Sequence, residues 1–325
     1  MKILLFLLAI SCSTFAQTIR RCNNNPGVSG VNVYTTIQAA HDAAVAGDII
    51  YVEPSNVSYT SLTCTKRFTI IGNGWADSYG NITPNPPTNS MNSIIDYVND
   101  GSQGSKCIGL TFLNQSVGRT PDILFDRCRF LNSGFAIELS TGSNNVIFTR
   151  CRMFYGIVAS NNTGCIMQNC ISASTLCSGL RNAVITNNIG YYIPNITSSS
   201  VTNNIFTLSS GQAVGGLTTT ISNNLCVSSN GLPVGNGNIN GATQSSIFLV
   251  ASPHNNSSDN DFQLAAGSPV TGIGTGGTNA GAFGGANPDV LSGLPPYPII
   301  TNFITSGVGN STTPLNVSVT VRGNN

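Results

Sequence analysis

The chain has 325 residues, which is enough for one large domain or two ordinary ones. Only 8% of the residues are charged, far below the roughly one quarter that is typical of soluble domains. Apolar residues nevertheless make up 40% of the chain, which argues against disorder, and no long apolar run follows the first residues, which argues against a membrane-embedded body.

Residues 1–16 have the pattern of a secretory signal peptide. Lys2 precedes an apolar stretch and a group of small residues, with cleavage expected after Ala16. The stretch is too short to span a bilayer, so no transmembrane segment is predicted in the mature chain. Cys12 lies in a poor match to a lipoprotein box, which makes a lipid anchor the less favoured alternative. We therefore expect a secreted protein, extracellular or at the cell surface.

The nine cysteines that follow this cleavage point match no metal-binding or redox spacing. In an oxidising compartment some of them could pair, and Cys22 with Cys64 is a candidate near the N-terminal end. No metal site is predicted from them.

After a lead-in over residues 17–32, the sequence predicts a short amphipathic helix near residues 36–46. Ile37, Ala40 and Ala44 lie on one face of such a helix, and Gly47 suits its end. A strand is predicted next, over residues 49–52.

An internal repeat of close to twenty residues dominates the middle of the chain. Seven segments share one frame, and we call their common position the anchor. The anchors are Leu110, Cys128, Cys151, Cys170, Asn188, Asn204 and Asn224. Successive anchors are 16 to 23 residues apart, too short for two helices per unit. The repeat therefore predicts a solenoid whose strands pair in parallel one coil apart, at about 4.8 Å.

The positions around each anchor indicate which side chains face the core. All residues three positions before an anchor are apolar: Cys107, Phe125, Phe148, Met167, Ile185, Val201 and Ile221. Those two positions after it are apolar or small: Phe112, Phe130, Met153, Ser172, Gly190, Phe206 and Cys226.

The anchor column changes from cysteine to asparagine along the chain. Stacked Asn side chains are expected to form a hydrogen-bonded ladder, as at Asn188, Asn204 and Asn224. Cys128, Cys151 and Cys170 are expected to fill the same column as small apolar residues. A reactive or metal-binding thiol column is the alternative.

The stretches YTTIQAAHDAAVAGDIIYVEPSNVSYTS and FTIIGNG resemble the opening of right-handed parallel β-helix proteins of the pectate-lyase-like superfold. DFQLAAGSPVTGIGTGGTNAGAF resembles their closing segment, although Thr271 and Asn279 stand near the places where that family usually has aspartates. The resemblance implies an all-β, right-handed parallel β-helix solenoid over residues 33–286, with a short N-terminal capping helix. It does not imply one activity, since the superfold carries lyases, hydrolases, esterases and non-enzymes.

Residues 287–325 differ in composition from the repeat. NPDVLSGLPPYPIITNF is rich in proline and predicts an extended linker, and LNVSVTVRGNN alternates like a strand. A linker outside the core predicts that removal of residues after Ala286 leaves stability nearly unchanged.

No complete catalytic set is recognisable. The Asn-Thr-Asp strand and Gly-His-Gly of polygalacturonase-like enzymes are missing, and no Ser/His/Asp constellation can be assembled. A structural or solvated role is expected for His41 in the predicted helix and for His254 in a polar loop. Asp259 and Asp261 are too few to predict a calcium site, so no cofactor is expected.

Basic residues concentrate in two coils. Arg127 and Arg150 come just before an anchor, Arg129 and Arg152 just after one, and all four are expected to point outward. Lys106 lies one coil earlier and could extend the patch. The alternative is that the arginines pair with nearby carboxylates, such as Asp126, on a solvated face. Arg side chains bind carboxylates and sulfates bidentately, so this patch predicts a contact with an anionic polysaccharide.

Two functional hypotheses follow. The first is a secreted carbohydrate-associated β-helix protein that binds or cleaves an acidic polysaccharide in the manner of a lyase, with catalytic residues unknown. The second is a non-catalytic structural or adhesive surface protein. Nucleic acid is excluded as a partner because the patch is small and the chain is nearly neutral. The sequence leaves open whether the protein is an enzyme and what its oligomeric state is.

Overall fold

The computed structural model describes residues 17–322 with the exception of 56, 75–89, 92–100, 114–115, 119, 133, 218, 252, 254–258, 297, 306–308, 310–311 and 313. The predicted signal peptide at residues 1–16 and the loop residue His254 lie outside the described residues. Among the residues described, no helix is both long and apolar enough to cross a membrane.

Parallel strands from successive coils form the body of the protein. In the described part of the chain the first sheet contains Ile19–Cys22, Val33–Tyr34, Ile49–Val52, Thr69–Ile71, Lys106–Ile108, Leu124–Asp126, Ile147–Thr149, Ile166–Gln168, Val184–Thr186, Ser200–Thr202 and Thr220–Ser222. The second sheet contains Ser90–Met91, Thr111–Phe112, Arg129–Phe130, Arg152–Met153, Ile171–Ser172, Ile189–Gly190, Ile205–Phe206, Leu225–Cys226 and Ile239–Asn240. Each strand pairs in parallel with its equivalent one coil away, as Ile147 does with Leu124 and with Ile166.

Two smaller parallel sheets close the coils on the third side. Their strands are Ser116–Gly118, Ile137–Leu139, Ile157–Ala159 and Cys177–Ser178 in one sheet, and Leu180–Arg181, Ile193–Thr197 and Val214–Leu217 in the other. The remaining elements are the α-helices Ile37–Ala43 and Gln244–Ile247, the 3₁₀ helices Asp259–Phe262, Thr275–Gly277 and Leu291–Gly293, and the antiparallel strands Ile299–Thr305 and Val317–Arg322. The predicted fold class, a right-handed parallel β-helix with a short N-terminal capping helix, is confirmed.

The core of the solenoid consists of the inward columns that the repeat predicted. Phe125, Phe148 and Ile185 are buried, and the rings of Phe125 and Phe148 stack with centroids 5.2 Å apart. At the inward position of Gly190 a larger side chain would not fit, because Leu176 from the third side occupies the space. A Cβ added to Gly190 would lie 3.0 Å from the Cβ of Leu176. Each coil therefore contributes one layer to a continuous apolar interior.

The helix Ile37–Ala43 covers the N-terminal end of this interior. The Thr36 hydroxyl accepts a hydrogen bond from the Ala39 amide at 3.1 Å, which satisfies one of the free amides of the first turn. Ile37, Ala40 and Ala44 are buried, as the amphipathic pattern predicted.

The bend from the first sheet to the second uses a left-handed residue in every repeat unit. The residues just before the anchors have φ between 52° and 62°: Gly109, Arg127, Arg150, Asn169, Asn187, Asn203 and Asn223. Asn tolerates this conformation better than other side chains apart from Gly. The Asn-Asn pairs of the later coils thus combine a left-handed first residue with a buried second residue. We call the left-handed set the bend column.

The buried asparagines are joined from coil to coil by hydrogen bonds. The Asn204 amide nitrogen Nδ2 donates to the carbonyl of Ile185 at 2.9 Å and to Asn224 Oδ1 at 3.0 Å. Asn204 Oδ1 accepts from the backbone amide of Asn188 at 2.8 Å. Each side chain therefore satisfies backbone groups that the bend removes from the sheet ladders.

The anchor cysteines make the same contacts in a weaker form. Cys170 Sγ accepts from the backbone amide of Cys151 at 3.4 Å, as Asn204 Oδ1 does from Asn188. Cys151 Sγ donates to the carbonyl of Phe125 at 3.4 Å, which corresponds to the bond from Asn204 to Ile185. A thiol is a weak donor and acceptor, so cysteine here is a partial substitute for asparagine as well as a filler.

A second apolar layer covers the outer face of the second sheet. Ile171, Ile189, Ile205 and Leu225 point outward from that sheet and are buried. Their cover consists of residues from the chain after the last coil: Ile247, Phe248, Phe262, Val270, Ala280 and Ala282. The segment that resembled the closing part of β-helix proteins is therefore a lid on the second sheet.

The proline-rich segment does not behave as a free linker over residues 287–295. Leu294 is buried, and its carbonyl accepts a hydrogen bond from Arg127. Pro295 and Pro298 then border a cleft of about 280 Å³ with Ile49 and Tyr51 of the first sheet. Beyond it the chain forms an antiparallel hairpin rather than the single strand that alternation predicted.

Replacing Asn204 by Leu is expected to destabilise the solenoid by about 3 kcal/mol, because the buried amide of Asn188 and carbonyl of Ile185 lose their partner. Asn204→Cys should cost less, since a thiol keeps weak versions of these bonds. Urea unfolding followed by circular dichroism measures both. Asn195→Leu, at an exposed position, is the matched control. Equal stability of Asn204→Leu and the control would contradict a stabilising role for the asparagine column.

Candidate functional site

The bend column holds the C-terminal segment against the solenoid. Five of its seven residues bond to backbone groups of that segment: Asn223 to the Ile273 carbonyl (2.7 Å), Asn203 to the Thr275 amide (3.0 Å), Asn187 to the Asn279 carbonyl (3.3 Å), Asn169 to the Ala282 and Gly284 carbonyls (2.8 Å each) and Arg127 to the Leu294 carbonyl (2.8 Å). The segment therefore runs along the corner of the solenoid, back toward its N-terminal end.

Arg127 is one of the residues that bind the C-terminal segment, and its side chain does not face solvent. Its side chain is 2% exposed, its guanidinium donates to the Leu294 carbonyl, and its Nε lies 4.0 Å from Asp126 Oδ2. Arg127 therefore lies outside the core but is covered by the C-terminal segment, because the frame of the repeat fixes the side of the strand but not what covers that side.

Arg150 occupies the equivalent position one coil later and is 21% exposed. Its Nε and Nη2 both contact Asp126 Oδ1, at 2.9 and 2.8 Å. Burial raises the pKa of the Asp126 carboxyl, and the charges of Arg150 and Arg127 oppose that rise. The carboxylate pairing that the sequence offered as an alternative is thus present at this residue.

Arg129 and Arg152 are neighbours in the second sheet and lie on the covered side. Arg152 is 7% exposed, and its guanidinium carbon lies 4.6 Å from the centre of the Phe262 ring in the lid, a cation–π arrangement. The outward position predicted for Arg152 is therefore buried under the lid, while Arg129 is half-buried.

Lys106 is exposed on the first sheet, beside Leu124 of the next coil. The structure therefore does not bring the five basic residues together at one open patch. Lys106 on the first sheet is exposed and Arg150 at the bend is 21% exposed, whereas Arg127, Arg129 and Arg152 are wholly or partly covered.

His41 has a structural role. It is 2% exposed, its Nε2 accepts from the Thr65 amide at 3.1 Å, and its Nδ1 lies 2.8 Å from Asp42 Oδ1. An accepting Nε2 places the proton of a neutral ring on Nδ1, where it donates to the carboxylate.

Neither a disulfide nor a metal cluster is found in the described residues. Cys22 and Cys64, the candidate pair, are both free and buried, and burial raises the pKa of these thiols to about 12 and about 11. Within the same residues, no group of three or more His, Cys, Asp or Glu side chains could hold a metal ion.

The outer face of the first sheet is open in the later coils, in contrast to the second sheet. Two columns of outward side chains lie there in register without a bulge. The first column is Ile147, Ile166, Val184, Ser200 and Thr220, and the second is Thr149, Gln168, Thr186, Thr202 and Ser222. All ten are half-buried or exposed. We call these ten residues the open face.

The open face is uncharged and regular. Equivalent residues repeat at about 4.8 Å from coil to coil, and the columns are about 6.6 Å apart. The Thr202 hydroxyl donates to the Thr186 hydroxyl at 3.1 Å, so the second column is partly linked within itself. Arg181, which belongs to another sheet, is the one charged residue between Arg152 and Asp259. This surface can contact a neutral ligand through methyl groups, hydroxyl groups and an amide.

Sequence reasoning missed the open face, although two signals were present. The residues that flank each inward position, such as Val184 and Thr186 around Ile185, are themselves periodic. The residues just after the anchors turn aliphatic from Ile171 onward, which indicates that the second sheet is covered there and leaves the first sheet as the open one.

The chain was compared with protein families, curated proteins and solved structures. No family model and no curated protein matches it. A crystal structure of pectate lyase Pel9A is similar with a TM-score of 0.45 and 14% identity, over 82% of this chain and 96% of that one. A pectin methylesterase from Aspergillus niger has a TM-score of 0.30 and 13% identity, over 79% and 91%. Neither likeness bears on what this protein binds or does.

The hydrogen bonds between the bend column and the C-terminal segment predict that two truncated chains differ in their free energy of unfolding. Ending the chain after Ala286 removes the Leu294 carbonyl from Arg127, and a lost hydrogen bond to a charged group costs about 2 kcal/mol. Ending it after Pro298 removes the hairpin alone and should leave the free energy of unfolding nearly unchanged. Chemical denaturation of both forms and of the longer chain measures the difference. Equal stability of all three forms would restore the interpretation of residues 287–298 as a linker.

Proposed function

We propose that the protein is a secreted, carbohydrate-associated β-helix protein that binds a polysaccharide on the open face and holds it without cleaving it. The observation that carries the proposal is the contrast between the two large sheets. The second sheet is sealed by the lid, whereas the first exposes an uncharged, in-register surface over five coils. A surface of this length, roughly 19 Å from the first to the fifth coil, suits a polymer better than a small metabolite.

The chemistry of the open face suits sugars. Aliphatic side chains such as Ile147 and Ile166 can contact the CH faces of sugar rings. The Thr and Ser hydroxyls and the Gln168 amide can donate to and accept from sugar hydroxyls. Such contacts, directly or through bridging water, give binding without any charged group.

A non-catalytic role is the better supported of the two hypotheses. None of the ten residues of the open face is ionisable near neutral pH, so none can serve as general acid or base. The nearest charges on this sheet, at Asp126 and Arg150, are engaged with each other. A lyase needs a free base beside the sugar and a second group that neutralises the uronate, and the buried guanidinium of Arg127 supplies neither.

Binding can be tested by retention of the protein on a panel of neutral and acidic polysaccharides. The face variant carries Thr186→Glu and Ser222→Glu, two coils apart so that the new charges do not meet. The control variant carries Ser209→Glu and Ser229→Glu, which are exposed loop positions with the same added charge. We expect at least about tenfold weaker retention of the face variant, a loss of about 1.4 kcal/mol, and no change for the control.

Two outcomes would contradict the proposal. Equal retention of face and control variants would remove the open face as the site. Formation of unsaturated products from a polyuronate, abolished by Arg150→Ala or Lys106→Ala, would favour the lyase and the acidic polymer.

Secretion is part of the proposal and has its own test. Mass spectrometry of the protein recovered from the culture medium should give a mature N-terminus at Gln17. Recovery of uncleaved or lipid-modified chain from the membrane fraction would contradict it.

A further inference from the structure

From the geometry of the open face, and resting on the proposed function, we infer that its ligand is the ordered surface of a neutral, insoluble polysaccharide rather than a single soluble chain. The two columns form a regular lattice of side chains, in register from coil to coil, with one spacing along the solenoid axis and another across it. A surface of packed parallel chains offers repeated contacts in the same two directions, which a single chain in solution does not.

The unbroken register of the face favours an extended, ordered partner. Sites for single small ligands or chains are concave and bury most of the ligand. Here, among the described residues, the lid segment borders the face along the edge where it is bonded to Asn187 and Asn203. No register shift interrupts the four strand pairings that carry the ten residues, so no bulge bends the face into a groove.

The residue types of the open face also favour an ordered surface as the ligand. None of the ten side chains is aromatic, so the rings that usually provide large contact area to a single ligand are missing from this face. Each methyl or hydroxyl contact is weak by itself, and useful affinity requires many of them at once. An ordered surface supplies many equivalent positions, so the sum of weak contacts becomes large.

The face is also rigid before it binds. Thr and Val are β-branched and restricted at χ1, and the hydroxyls of Thr202 and Thr186 fix each other through their hydrogen bond. A preorganised array loses little side-chain entropy when it meets a matching surface. The absence of charge on the ten residues predicts binding that does not respond to salt.

The test compares two physical forms of one polymer. Crystalline and amorphous cellulose, and crystalline and amorphous chitin, are matched for accessible area, and protein retention is measured by sedimentation at low and high salt. We expect about tenfold or greater preference for a crystalline form, no response to salt, and no competition by soluble oligosaccharides of the same sugar.

Thr202→Tyr provides a second test, because a ring that projects above the neighbouring side chains interrupts the lattice of the open face without adding charge. It should abolish the preference for the crystalline form, whereas Ser209→Tyr in an exposed loop should leave it intact. The melting temperatures of both variants report whether the fold is retained. If Thr202→Tyr does not fold, Thr202→Ser replaces it, and the lost methyl should reduce the crystalline preference by a smaller factor.

The outcomes separate this inference from the proposed function. Equal retention on both forms, or competition by soluble oligosaccharides, overturns the ordered surface and leaves polysaccharide binding in place. Retention on no polysaccharide overturns both. Adhesion to ice together with no retention on any polysaccharide would show that the lattice binds ordered water, and would likewise overturn both.

Discussion

The left-handed residue at the bend between the first and second sheets is the constraint on which the rest of the structure depends. Each repeat unit must turn there, and a left-handed conformation costs a non-glycine residue about 1 kcal/mol or more. Asn lowers that cost in four of the seven positions of the bend column. The turn then directs the next residue, the anchor, into the core, where Asn204 and its equivalents bond to the backbone that the bend has exposed. The same turn directs the left-handed side chain outward, where the four asparagines hold the lid.

The sequence predicted those features that depend on periodicity and local chemistry. The inward columns, the capping helix and the parallel pairing follow from residue types at fixed spacing, since each depends on a few neighbouring positions. The arginines show where this reasoning stops. Whether Arg127 meets water or the carbonyl of Leu294 is decided by a segment more than 160 residues later, bonded at 2.8 Å. No pattern around Arg127 itself contains that information.

The lid explains why the outward residues of the two large sheets differ in type. Under it, Ile171, Ile189, Ile205 and Leu225 are aliphatic, while Arg152 in the same column meets the lid through Phe262. On the first sheet, where the described part of the lid does not cross the later coils, the outward residues are Ile147, Ile166 and Val184 together with Ser, Thr and Gln. The outward residues thus differ between the two sheets: they are mainly aliphatic under the lid, and a mixture of aliphatic and neutral polar residues on the open face. The proposed carbohydrate site lies on the outer face of the first sheet, which the described part of the lid leaves accessible.

The buried thiols have a consequence for the lifetime of the protein. All nine cysteines from Cys22 onward are free and buried, and burial raises the pKa of several of them, to about 11 for Cys226. Since buried structural cysteines are inert, the folded chain protects these thiols from oxidants. An unfolded chain in an oxidising medium loses that protection, and cysteines one coil apart, such as Cys128 and Cys151, become free to form disulfides that lock in non-native arrangements. In such a medium unfolding is irreversible, and the lifetime of the folded protein is set by its rate of unfolding rather than by an equilibrium between folded and unfolded forms.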